Sequence, residues 1–243
     1  VKTLCLIQAR INSKRLPRKS LAIIGARPSV FHVWKRASQV ATTHVVCPPD
    51  DVCEFDAVLP RGVVLSGPGW AEEDDVLSRL GGAIEEMHGR TAGKKPDIVV
   101  RLTADCPFVP PEGIQAVIAA VGNGADYATL APIPNGFDVE AFRGELFQRA
   151  FLGTSNKSDR EHVTPYIRRT ARKVVEVPLF DMLPRYRWTL DDAEDLAWFQ
   201  EVAREIDCNP PHPTVDELVA LMARRPDLVK LDEPVAEIAG PVP

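Results

Sequence analysis

Three short apolar runs constrain this chain most: Thr3–Gln8 (TLCLIQ), Thr43–Cys47 (THVVC) and Asp97–Thr103 (DIVVRLT). Each is too short for a helix and nearly continuous in apolar residues, as strands covered on both faces must be. Between them the spacing turns helical. Val76, Leu77, Leu80, Ile84 and Met87 mark an amphipathic helix within Glu72–His88. Pro28 opens a helix running to about Val40, and another is expected near Pro111–Val121. Strands alternating with helices at this rhythm build parallel α/β sheets, so the fold class expected is a three-layer α/β/α, mostly parallel, Rossmann-like sheet.

Val63–Ser66 and Ala125–Leu130 read as further strands. The pattern changes at Pro132: Pro134-Asn135-Gly136 is a turn, Val139–Phe142 a short strand, and Glu145–Phe151 and Asp159–Thr170 read as helices. Val174–Val177 and Arg187–Leu190 read as strands, Asp192–Ile206 and Thr214–Arg225 as helices. The expected organisation is one domain over residues 1–225, with an inserted lobe at about 132–180 and a loosely held tail over 226–243.

The chain has 243 residues with 45% hydrophobic and 26% charged side chains, an ordinary globular balance that excludes intrinsic disorder. No apolar run approaches the roughly 18–20 residues of a membrane helix, and no leader pattern opens the chain, so no membrane partner is expected. Five cysteines without a Cys-x-x-Cys pair fit free thiols in a reducing cytoplasm better than disulfides or a zinc site. A net charge of −5 argues against a nucleic-acid partner. Its distribution says more. Residues 1–49 carry nine Lys or Arg and no Asp or Glu, and five of the nine fall between Arg10 and Lys19. Positive charge gathered at one place on an acidic protein points to a small anionic ligand.

That cluster forms the loop after the first strand, where open α/β sheets bind ligands. It matches neither the P-loop pattern nor the glycine-rich dinucleotide fingerprint. Arg10, Ser13, Arg15 and Lys19, with backbone N–H groups, nonetheless suit a triphosphate, because arginine offers forked donors and lysine a compact charge.

The stretch IQARINSKRLPRKSL resembles the A-R-x-x-S-x-R-L-P-x-K signature of the cytidylyltransferases that activate acidic sugars as CMP-sugars, in the branch of spore-coat polysaccharide biosynthesis protein F. The resemblance continues in EDDVLSRL (Glu73–Leu80), VVRLTADCP (Val99–Pro107), NGFDVEAF (Asn135–Phe142), DREHVTPYI (Asp159–Ile167) and RWTLDDAEDL (Arg187–Leu196). It implies a glycosyltransferase-A-like nucleotidyltransferase fold, homodimerisation, and transfer of CMP from CTP to a sugar acid or related acceptor with release of pyrophosphate. It places Ala9, Arg10, Ser13, Arg15, Lys19, Asp75 and Thr103 at the nucleotide. Arg10, Lys19, Asp105 and Asp191 form the catalytic set, with Asp105 and Asp191 holding Mg²⁺. Mg²⁺ suits such a site because it typically takes only one or two protein carboxylates.

The alternatives are local. Asp105 also reads as a turn or cap residue and Asp191 as an N-cap. Asp138 and Glu140 alternate, so a strand would turn both to one face, where with Asn135 they would meet sugar hydroxyls; a solvated hairpin is the other reading. Glu161 and His162 open a helix toward the acceptor, and Arg160 or Arg168 would pair with the acceptor's carboxylate. The chain departs from the branch at three places: Arg18 stands where Gly is usual, Trp70-Ala71 replace Arg-Gly, and Pro110 replaces an aspartate. Arg18 would add a phosphate contact or tighten the loop. A sugar-nucleotide-dependent glycosyltransferase and a catalytically degenerate nucleotide-binding protein are the competing functions.

Overall fold

The apolar runs become the centre of one sheet in the computed structural model, which describes residues 1–69, 71–91, 95–210 and 212–232. Trp70 lies outside the described residues. In chain order the strands are β1 (Thr3–Gln8), β2 (Ile23–Ile24), β3 (Arg27–Pro28), β4 (Thr42–Cys47), β5 (Val64–Ser66), β6 (Ile98–Thr103), β7 (Tyr127–Leu130), β8 (Glu140–Arg143) and β9 (Val174–Val177). The helices are α1 (Ser29–Ala37), α2 (Val52–Asp56), α3 (Val76–Thr91), α4 (Pro111–Gly122), α5 (Gly144–Gly153), α6 (Lys157–His162), α7 (Thr164–Thr170), α8 (Ala193–Glu205) and α9 (Val215–Arg224).

β2 and β3 form a small hairpin, and the other seven strands pair in the order β5-β4-β1-β6-β8-β7-β9. All pairs in that sheet are parallel except the two that β8 makes, with β6 and β7. Alternation along β1 sends Cys5 and Ile7 into one buried layer with α1, α4, α8 and α9, and Leu4 and Leu6 into another with α3, α5 and α7. These are the three layers. Residues 132–180, read as an inserted lobe, contribute β8 and β9 to the sheet itself.

Several boundaries differ from the sequence reading. The helix expected from Glu72 begins at Val76, because the Asp75 carboxylate accepts the Ser78 N–H at 3.0 Å and caps it. The expected helix Asp159–Thr170 is two helices, broken at Val163 (φ 67°). Pro165 follows two residues later and has no N–H to continue the helical ladder. Arg187–Leu190 is not a strand. Arg187 makes one isolated bridge to Asn135, and the Leu190 N–H donates to the Asp105 carbonyl at 2.9 Å, so these backbone groups go to loops. Asp138 precedes β8 instead of lying on it.

The segment read as a tail is tied down at its start. Lys230 bonds Asp195, the Arg187 N–H donates to the Lys230 carbonyl at 2.9 Å, and the Trp198 indole donates to the Leu228 carbonyl at 2.7 Å.

Candidate active site

The loop between β1 and α1 is shaped by its own backbone and one carboxylate. The Ile11 carbonyl accepts from the Ser13 and Arg18 N–H groups, both at 2.9 Å, and the Ile11 N–H donates to Asp51 Oδ2 at 2.9 Å. Arg18 adopts the left-handed conformation (φ 62°), which explains why Gly suits this position. Its guanidinium turns away from the loop interior and grips Glu54 with two bonds of 2.9 and 2.7 Å. It tightens the loop and adds no cation to the cavity.

That cavity has a volume of about 930 Å³. The loop supplies Ala9, Arg10, Ser13, Arg15 and Lys19; β6 and the turn after it supply Arg101, Thr103 and Asp105. Glu73, Asp74 and Arg79, around the start of α3, and Glu161 and His162, ending α6, complete the wall. Residues from four distant stretches therefore meet at the carboxyl ends of β1 and β6.

In its wall Lys19 Nζ donates to Asp105 Oδ2 at 2.7 Å and, behind the lining, to Asp191 Oδ1 at 3.2 Å. Burial disfavours charge on both Lys19 and Asp105, but their mutual attraction prevails, raising the ammonium's pKa and lowering the carboxyl's. Asp191 also meets Arg15 at 2.8 Å and Arg187 at 3.5 Å. It is not the cap of α8. Asp192 fills that role in a reciprocal capping box with Asp195, and the Asp195 carboxylate also accepts the Asp191 N–H at 2.8 Å. The Asp191 side chain is thereby left to the cation cluster. The Asn135-Gly136 turn braces the same segment: a Cβ on Gly136 would lie 2.4 Å from the Trp188 carbonyl oxygen.

Among the described residues, no group of three or more His, Cys, Asp or Glu is placed to hold a metal. Two carboxylates converging on one cation position, each partly open to solvent, are the hard-oxygen donor set that Mg²⁺ accepts with water completing its shell. The residues therefore fit the ion.

Other expected site residues are placed elsewhere. Asp75 caps α3 and pairs with Arg160 at 2.8 Å, outside the cavity lining. Arg160 is consumed there and by the Thr154 carbonyl, and Arg168 stacks over the Tyr127 ring, so neither faces the cavity. The Asn135 amide donates to Asp232 at 3.2 Å. Asp138 accepts the Gly136 N–H at 3.0 Å; burial, then nearby Asp105 and Glu140, raise its pKa. Glu140 has both oxygens engaged, by Arg101 and by the Tyr127 hydroxyl, each at 2.6 Å. Neither Asp138 nor Glu140 therefore presents the paired sugar-facing carboxylates that alternation suggested. Arg101 was missed by sequence reasoning, and its signal was a lone cation inside the apolar run IVVRLT.

A mostly parallel sheet with a basic loop and a carboxylate pair at its carboxyl edge is a nucleotidyltransferase architecture, and the comparisons narrow the class. A cytidylyltransferase family profile matches residues 4–188. Spore coat polysaccharide biosynthesis protein SpsF of Bacillus subtilis (strain 168) is 30% identical over 245 residues, spanning 92% of this chain and 95% of that one. The 3-deoxy-manno-octulosonate cytidylyltransferase of Anaeromyxobacter dehalogenans (strain 2CP-C) is 36% identical over 135 residues, about half of each chain at 54% and 52%. The structure of a cytidylyltransferase from Leptospira borgpetersenii serovar Hardjo-bovis (strain JB197) superposes with a TM-score of 0.79 at 21% identity, covering 97% of this chain and 99% of that one. CMP:2-keto-3-deoxy-manno-octonic acid synthetase complexed with CTP shares the fold at a TM-score of 0.57 and 20% identity, covering 85% and 100%. The chain belongs to the cytidylyltransferase family and is a nucleotidyltransferase enzyme. No helix of the described residues is long and apolar enough to cross a membrane.

Proposed function

We propose that this enzyme transfers CMP from CTP to an oxygen of a sugar acid or related small molecule and releases pyrophosphate, with Mg²⁺ held by Asp105 and Asp191. The observation that carries the reading is the shared ammonium: Lys19 of the phosphate loop lies 2.7 Å from one carboxylate and 3.2 Å from the other. A triphosphate on the loop would therefore have its reacting phosphorus beside both.

Three loop cations that face the cavity already have anionic partners. Arg10 holds Glu73 and Asp74 at 3.3 and 3.1 Å, Arg15 holds Asp191, and Lys19 holds both aspartates. Binding CTP exchanges these carboxylates for phosphate oxygens, which keeps the cations positioned before substrate arrives. Bound between Asp105 and Asp191, Mg²⁺ would neutralise charge on the phosphate oxygens. Arg10, Arg15 and Lys19 stabilise the charge gathering on the leaving pyrophosphate. His162, in the cavity wall beside Glu161, is the side chain available to take the proton of the attacking hydroxyl. No covalent enzyme intermediate is needed, and positioning supplies much of the acceleration.

A pyrophosphate-release assay with CTP and a panel of sugar acids, with and without Mg²⁺, tests this. Release that needs both an acid acceptor and Mg²⁺ supports it. Absence of pyrophosphate with every acceptor overturns it, and turnover of a sugar nucleotide without pyrophosphate would indicate a glycosyltransferase.

A further inference from the structure

A guanidinium in the middle of a buried strand is costly unless its donors are met. Arg101 on β6 meets that cost on two sides. Its Nε donates to Gln8 Oε1 at 3.0 Å, on β1, and its Nη1 to Glu140 Oε2 at 2.6 Å, directly opposite on β8. Tyr127 on β7 fills the other Glu140 oxygen. Side chains from three other strands thus fix the plane of one guanidinium, which lines the cavity at 17% exposure. Its Nη2 makes no hydrogen bond among the described residues.

The position of Arg101 separates it from the phosphate cations. The loop cations stand at the end of β1, and Arg79 packs over Gly67 beside β5, where an added Cβ would meet its Cγ at 2.2 Å. Arg101 lies beside β1 on β6, with β1 and β4 between it and the β5 end where Arg79 packs, and β6 runs through Thr103 into the turn carrying Asp105. In-line displacement sets the attacking oxygen and the leaving pyrophosphate on opposite sides of the phosphorus. With pyrophosphate on the loop side, the acceptor enters from the β6–β8 side, where a fixed fork with unused donors waits. Arg160 and Arg168, expected to meet an acceptor carboxylate, lie outside the cavity.

We infer that Arg101 binds the carboxylate of the acid acceptor, and that Glu140 is a positioning residue acting through Arg101. This rests on the CMP-transfer reading above and names the group that makes the enzyme select acids.

The test compares wild type with Arg101→Gln, Arg101→Lys and Glu140→Gln. Pyrophosphate release is followed with CTP and a panel of 2-keto-3-deoxy sugar acids, each beside its C1 carboxamide, and CTP binding is measured by calorimetry. Wild type should prefer acid over amide by about 100-fold in kcat/KM, the order expected when a charged recognition pair is broken. Arg101→Gln should lose that preference to within about 3-fold, through the acceptor KM, with CTP affinity changed less than about 2-fold. Arg101→Lys and Glu140→Gln should fall between, since each keeps a cation but not its fixed fork. If Arg101→Gln fails to fold, Arg101→Lys carries the test.

Unchanged acid preference in a folded Arg101 variant overturns the inference alone. So does a loss of CTP affinity with acceptor KM unchanged, which would assign Arg101 to the nucleotide. Wild-type protein that releases no pyrophosphate with any acid overturns the CMP-transfer reading itself, and this inference with it.

Discussion

Lys19 and Asp105 are joined by a 2.7 Å ion pair, and the same ammonium reaches Asp191 at 3.2 Å. A divalent cation bound by those two carboxylates must displace it. Lys19→Met should therefore bind Mn²⁺ about 10-fold more tightly than wild type in the absence of nucleotide, although its turnover falls at least ~100-fold. Calorimetry with Mn²⁺ alone decides this, and unchanged or weaker binding would show that the lysine does not compete.

The carboxylates themselves should behave as ligands and not as caps. Asp105→Asn and Asp191→Asn are each expected to lower kcat by about 10²–10³-fold while the midpoint of thermal unfolding moves by only a few degrees. Chelation of divalent ions should reproduce the loss in wild type. Measuring kcat and the unfolding midpoint together separates this from a folding defect, in which the surviving folded fraction would be fully active.

Arg18 lies in the left-handed region, and its bidentate partner Glu54 is on the protein surface. Arg18→Gly exchanges an exposed ion pair for relief of backbone strain, two opposed and small effects. The unfolding midpoint should shift by less than about 3 °C and CTP affinity by less than about 3-fold. A large loss of CTP affinity would place this guanidinium on the phosphates.

Asp195 is 1% exposed and takes bonds from Arg187, Lys230 and the Asp191 and Asp192 N–H groups. Burial alone would raise its pKa, but Arg187 and then Lys230 more than offset this and hold it well below the usual carboxylate range. A depressed folded pKa contributes stability above the unfolded value of about 3.9, and that stability is lost as pH falls from there through the folded pKa. Asp195→Asn should cost about 3 kcal/mol at pH 7, and its stability should vary less steeply below about pH 4 than that of wild type. Urea denaturation between pH 3 and 7 reads both.

The sheet and its loop were legible because they depend on local pattern. Apolar runs marked the strands, and the crowding of Arg10 through Lys19 marked the basic loop that lines the cavity. What escaped depends on long-range pairing. Nothing local says that Asp75 will be taken by Arg160, or that Glu140 will lie opposite Arg101 across two antiparallel strands. The extended run Arg187–Leu190 reads as a strand because its composition is strand-like, yet its backbone N–H groups go to the Lys230, Asn135 and Asp105 carbonyls. Arg101 could have been suspected, since a lone cation in a continuous apolar strand must have a purpose or a partner, and here it has partners on both sides.

Lys230 grips the buried carboxylate that also fixes the Asp191 backbone. The second aspartate of the centre is thus anchored by chain made some forty residues after it. A protein clipped ahead of Leu228 would keep its sheet and its basic loop, yet hold Asp191 loosely. Such a fragment should capture nucleotide without completing the reaction, so proteolysis at this end would convert a working enzyme into a sink for its own substrate.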